Sequence, residues 1–173
     1  MASLSRTFSL ANEDLRGHRA MDRTYSAAGR WAFGGGLFNC IAALLLGLPF
    51  TDNLMFEIVN DLNAGLGLSG EEWTLAPNPA NQLFVNTAGL ALFLVGMTLI
   101  YASRDIANRI AIPLLNGCVR FVWAVVATYY VVAHGLQQVF VALIAIDLIL
   151  AGAYIYFYLK INQPMSMGAM ATR

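Results

Sequence analysis

Residues 110–159, IAIPLLNGCVRFVWAVVATYYVVAHGLQQVFVALIAIDLILAGAYIYFYL, decide the fold. They hold two apolar runs, Ile110 to Ala133 and Gln138 to Leu159, separated by a tight turn around His134 to Gln137. A bilayer's hydrocarbon core takes about 20 apolar residues of helix to cross, and both runs reach that length. Leu, Ile, Val, Phe and Ala occupy every face of each, so neither reads as an amphipathic surface helix. Arg120 and Asp147 are the only formal charges in the two runs. A charge at mid-bilayer costs about 2.5 to 3.5 kcal/mol on insertion scales, so each demands a partner or a function. At 1.5 Å per residue from the turn near Gly135, Arg120 lies about 22 Å and Asp147 about 18 Å deep. An arginine side chain covers the difference, which predicts an Arg120 to Asp147 ion pair near the bilayer centre. Such a pair either fixes helix register or serves as a proton or ion relay.

Counting by three and four from Arg120 gives Pro113, Asn116, Gly117, Ala124, Ala127 and Thr128, a small and polar face suited to close helix packing. Outward from this hairpin, two further apolar runs extend from Trp31 to Phe50 and from Leu83 to Tyr101. The fold expected is all-α, an integral membrane bundle of four transmembrane helices over residues 31–160. A polar arm, 1–30, precedes it and a tail, 161–173, follows. The composition agrees: 58% of the 173 residues are hydrophobic and 12% charged, far from a soluble domain's balance. Asn39 and Asn116 fall at similar depth, with Asn86 and Thr87 nearer the opposite surface. Asn39, Asn86, Asn116 and Thr128 together read as an intramembrane polar stripe, with interhelical hydrogen bonds of about 0.6 kcal/mol each. Gly34, Gly35, Gly36, Gly89 and Gly96 read as close-packing sites.

Ten basic and ten acidic residues cancel to a formal charge of zero, which leaves no basic footprint for nucleic acid. The zero is unevenly distributed. Arg6, Arg16, Arg19, Arg23 and Arg30 precede the first run, Arg104 and Arg109 follow the second, and Lys160 and Arg173 follow the fourth. The connection 51–81 holds no base and five acids, Asp52, Glu57, Asp61, Glu71 and Glu72. Basic residues near span ends stay on the cytoplasmic side, so both termini are expected there. No small-residue cleavage pattern follows the first run, and Glu13, Asp14 and Asp22 are unlike a mitochondrial presequence. A bacterial or archaeal plasma (inner) membrane is the expected location.

The outer connection exceeds the usual helix-to-helix loop. Leu54, Met55, Ile58, Val59, Leu62 and Leu66 recur there at helical spacing, with Glu57 and Asp61 opposite. A short amphipathic helix is expected, whose stripe caps this bundle, docks on another protein or rests in the interface. Leu54, Ile58, Leu62 and Trp73 are the candidate docking residues, and Trp73 also suits an outer headgroup anchor. In the arm, Asn12 before Glu13 and Asp14 has the form of a helix start.

Several chemistries lack their residues. With only His18 and His134, on opposite sides, a bis-histidine haem within one chain is excluded. No set of His and acids matches a zinc or di-iron site, so no metal is expected. Cys40 and Cys118 read as buried free thiols. No Walker loop, Gly-x-Ser-x-Gly or dinucleotide fingerprint is present, and no catalytic residue emerges. No cofactor is expected, although a bound lipid, quinone or pigment is compatible with the spans. His134 with Gln137 and Gln138 reads as turn capping, with binding at the outer mouth as the alternative.

The four-span layout, the Arg104, Asp105, Ala107, Asn108, Arg109 connection and Asp147 of the last span resemble the small membrane proteins grouped as DoxX-like or BphX-like. That resemblance implies a link to redox or hydrocarbon-oxidising membrane systems and carries over no catalytic residue. The functional expectation is a non-catalytic accessory subunit, surrounded by membrane lipids, that binds and stabilises a larger membrane protein complex of respiratory, photosynthetic or oxygenase type. The alternative is a small homo-oligomeric transporter or channel built on Arg120 and Asp147; an enzyme acting on a lipid or quinone has the least support.

Overall fold

The computed structural model describes the backbone of residues 2–75 and 78–162 and, His18 and Asp52 aside, the side chains from residue 17 onward within them. Expectations for the tail beyond 162 and for the Arg6, Arg16 and His18 side chains lie outside the described residues. The chain is all-α, with α1 (Ala2–Gly47), α2 (Asp52–Gly65), α3 (Pro79–Ser103), α4 (Ile106–Arg109), α5 (Ala111–His134) and α6 (Phe140–Ile161). Among the described residues, four segments are long and apolar enough to cross a membrane: Arg19–Gly47, Pro79–Ser103, Ala111–His134 and Phe140–Ile161.

The first of these differs from the expected boundary at residue 31. The arm does not end where the apolar run begins, and Asn12 does not start a helix; both lie within one continuous α1. The bundle also begins earlier, because Thr24, Ala28 and Ala32 are buried. Ala28 and Ala32 pack with Ile106, Ile110 and Phe157, so the last turns of the arm belong to the core. At its other end α1 stops at Gly47, short of Phe50. Pro49 disfavours helical geometry at Leu48 and cannot continue the hydrogen-bond ladder.

The helices form two antiparallel pairs, α1 with α3 and α5 with α6, joined chiefly through α1 and α6. Glycine sets the first pair. A methyl group at Gly36 would lie 2.7 Å from the Gly96 carbonyl oxygen, and one at Gly96 would lie 2.6 Å from the Cys40 sulfur. Farther along, Gly47 and Gly89 meet backbone to backbone. Where hydrocarbon surrounds a helix pair, such close approach supplies the packing that a hydrophobic effect between the helices cannot. Of the expected close-packing glycines Gly34 is the exception, since a methyl group there would meet nothing within 4 Å.

Polar side chains finish the helix ends, which would otherwise leave carbonyls unpaired. Asn86 donates from Nδ2 to the Leu46 carbonyl at 2.9 Å and Gln82 from Nε2 to that of Pro49 at 3.3 Å. The Thr51 hydroxyl lies 3.0 Å from the carbonyls of both Leu44 and Leu45. Asn78 caps α3, its Oδ1 accepting from the Ala80 amide at 2.8 Å with Pro79 in the first turn. α5 ends at Gly135, whose φ of 68° is the left-handed conformation glycine adopts without strain. Between α3 and α5, Arg109 stacks over the Tyr101 ring and donates to the Tyr101 carbonyl at 3.0 Å.

The connection between α1 and α3 folds onto the α5–α6 turn. The Glu71 amide donates to the Gly135 carbonyl at 2.8 Å and the Gln138 amide to that of Ser69 at 3.0 Å. Two asparagines of α2 hold this arrangement. Asn60 brackets Trp73, donating to its carbonyl and accepting from its amide, both at 3.0 Å. Asn63 donates to the Leu68 carbonyl at 3.0 Å and accepts from the Val139 amide at 3.1 Å, which secures the start of α6. The buried face of α2 is Phe56, Val59 and Asn63, while Leu54, Ile58, Leu62 and Leu66 remain exposed. The six-residue stripe therefore divides into a covered part, Met55 and Val59, and an uncovered part.

Candidate functional site

Arg120, in the middle of α5, organises the one charged cluster among the described membrane-spanning residues. The buried faces of α5 repeat as Pro113, Gly117, Arg120, Ala124 and Ala127, a spacing of alternating four and three residues that keeps one stripe inward. Gly117 lets α6 approach: a methyl group there would sit 3.2 Å from the Ala151 carbonyl oxygen and 3.3 Å from Tyr154 Cβ. That proximity brings the two charges together.

The guanidinium is divided among three helices. Nη1 donates to Asp147 Oδ1 on α6, Nη2 to Asn39 Oδ1 on α1, and Nε to Asn116 Oδ1 one turn earlier on α5, the last at 2.8 Å. Arg120 and Asn39 are buried, with 6% and 2% of their surfaces exposed. Each edge of the planar fork therefore meets an oxygen. Arginine suits this role because its fixed donor geometry can satisfy several acceptors at once. One and two turns further along α6, Leu150 and Tyr154 pack with Leu99 of α3, so the apolar layer beside the cluster includes the remaining long helix.

No protein-family model, curated protein or solved structure matches the chain. The cluster is accordingly the best-defined physical pointer to what the molecule does.

Other expected site residues lie elsewhere. Asn86 is not part of an inward stripe with Asn39 and Asn116; it completes the end of α1 as described. Thr128 is exposed, and its hydroxyl donates to the Ala124 carbonyl of its own helix at 2.7 Å. A threonine that returns its hydrogen bond to the preceding turn can face lipid at little cost, which is why spacing from Arg120 misplaced it. Trp73 is half-buried and packs within the bundle. Its ring stands edge-on between Phe56 and Phe140, with centroids at 4.5 and 5.0 Å. Cys40 is buried but Cys118 is exposed, so only one thiol follows the expectation.

At the α5–α6 turn, Gln138 is engaged by Ser69, and the His134 ring packs against Tyr129 and Tyr130 at 5.1 and 5.2 Å. Gln137 is buried, and its Oε1 has no hydrogen-bond partner. Among the described residues, no three of His, Cys, Asp and Glu converge as a metal site would require. Asn39 was visible in the sequence only as one of several polar residues. Its pairing with Arg120 depends on helix rotation, which an apolar-all-round span does not reveal.

Proposed function

We propose that this protein is a non-catalytic accessory subunit of a larger plasma-membrane complex, of respiratory, photosynthetic or oxygenase type, with both termini in the cytoplasm. The observation that carries the reading is the saturation of Arg120 by Asn39, Asn116 and Asp147. A charge locked to three helices serves to fix their arrangement and is poorly placed to load and release a transported ion. The bundle so fixed presents wide apolar faces. On α3, Leu83, Phe84, Leu90 and Leu94 are all exposed, and α5 exposes Leu115, Val119, Val122 and Val126. Partner helices and lipid tails both suit such surfaces.

The test combines topology with capture. In intact cells, Glu57→Cys is expected to react with a membrane-impermeant maleimide and Arg104→Cys only after permeabilisation; the reverse pattern overturns the orientation. A photo-crosslinking amino acid at position 94, in the native membrane, is expected to yield a defined adduct with a larger membrane protein that co-purifies in mild detergent. Crosslinks confined to copies of this chain, together with ion flux in liposomes holding this protein alone, would replace the reading with the homo-oligomeric transporter.

A further inference from the structure

A groove of about 390 Å³ opens on the surface between α1 and α6, lined by Arg30, Trp31, Gly34, Gly35 and Leu150. None of the Arg120 cluster's residues lines it, and its volume falls in the range of small-molecule pockets, about 300 to 1,000 Å³. Two adjacent glycines create it by different means. At Gly35 a methyl group would overlap the Tyr154 hydroxyl, so α6 lies directly against α1; at Gly34 the same addition meets open space. The floor is therefore backbone and the lining apolar.

One end of the groove carries a cation. Arg30 is exposed, and its Nε donates only to the Ser26 carbonyl of its own helix, at 3.4 Å. Arg109 and Arg120 each face a carboxylate, whereas among the described residues none pairs with Arg30. Its depth is set by the helix. The Arg120 level lies within about 5 Å of the midpoints of α5 and α6, and Arg30 precedes Asn39, at that level, by nine residues, or about 14 Å. Half of a bilayer's hydrocarbon core is about 15 Å. Arg30 thus stands where hydrocarbon gives way to headgroups, with Trp31 beside it at a level where tryptophan partitions. The groove extends from there into the acyl region.

We infer that this groove binds an anionic glycerophospholipid of the leaflet at the arginine-rich end, its phosphate on Arg30 and an acyl chain along Gly34, Gly35 and Leu150. A free phosphate has no use for the apolar floor, and an apolar partner helix offers the guanidinium no anion. A phospholipid satisfies both ends.

The test is native mass spectrometry of the delipidated full chain, titrated with dioleoylphosphatidylglycerol or dioleoylphosphatidylcholine, with inorganic phosphate as competitor. One tightly held phosphatidylglycerol is expected, preferred over phosphatidylcholine by roughly fivefold on the strength of one basic contact. Arg30→Gln removes the preference, and Gly34→Leu, whose first side-chain carbon enters open space, prevents retention of both lipids. Inorganic phosphate displaces neither. If Arg104→Gln abolishes the preference as fully as Arg30→Gln, general surface charge accounts for it and the site is wrong. Unchanged retention in a Gly34→Leu protein with a wild-type unfolding midpoint also overturns it.

Discussion

Replacing Asp147 with leucine is expected to destabilise the bundle by about 3 to 5 kcal/mol, and replacing Arg120 and Asp147 together with leucine to recover most of that loss. The single change leaves the guanidinium buried between Asn39 and Asn116, two neutral acceptors that cannot balance its charge. The double change removes the charge along with its partner, so the desolvation cost disappears with the attraction that offset it. Asn39→Leu should fall between these extremes. It removes one charged hydrogen bond, worth about 1.5 to 3 kcal/mol, but leaves the ion pair intact. Reversible unfolding in mixed micelles, followed by helix content, orders the three variants. A double variant as unstable as Asp147→Leu would show that the pair supplies something beyond mutual charge compensation. A neutral Asp147→Leu would dissolve the idea of a central pin altogether.

The same residues show why parts of the molecule were legible in sequence. A charge inside an apolar run stands out because few residue types can accompany it into hydrocarbon, and antiparallel connection through a tight turn fixes the depths of Arg120 and Asp147. The spans are legible for a related reason: crossing a bilayer imposes a length that hydropathy records directly. α3 and α6 were bounded within a few residues of Pro79–Ser103 and Phe140–Ile161. Rotation about the helix axis leaves no such record. Lipid and protein interior are equally apolar, so Thr128 could be counted inward and found outward. In α2, aliphatic residues on more than one face made Leu54, Ile58 and Leu62 seem equivalent to Val59. What selects the buried face is polar and aromatic: Asn60 and Asn63 tie down the following loop, and Trp73 enters between Phe56 and Phe140. The arm was the hardest to read, because α1 continues through residues that show no apolar period and packs there through small side chains such as Thr24 and Ala28.

Small residues also carry the other large expected effect. Gly96→Leu is expected to destabilise the protein by at least about 1 to 3 kcal/mol, the range for overpacking a well-filled core. The direction follows from what a side chain at position 96 meets. Its first carbon would fall 2.8 Å from the Gly36 carbonyl oxygen and 3.0 Å from the Cys40 amide nitrogen. These are backbone atoms, which cannot rotate aside as a flexible side chain can. α1 and α3 must separate, and the separation is felt along the whole seam, including the contact of Gly47 with Gly89 and the hydrogen bond from Asn86 to Leu46. Helix propensity pulls the other way, since replacing glycine within a helix stabilises it by up to about 1 kcal/mol. Gly34→Ala isolates that opposing effect on the partner helix α1, because nothing lies within 4 Å of its added carbon. The expected result is a raised or unchanged unfolding midpoint for Gly34→Ala and a clearly lowered one for Gly96→Leu, measured side by side in one detergent. Equal midpoints would mean that α1 and α3 adjust freely around the added side chain. The glycine contacts would then not be what holds this pair together.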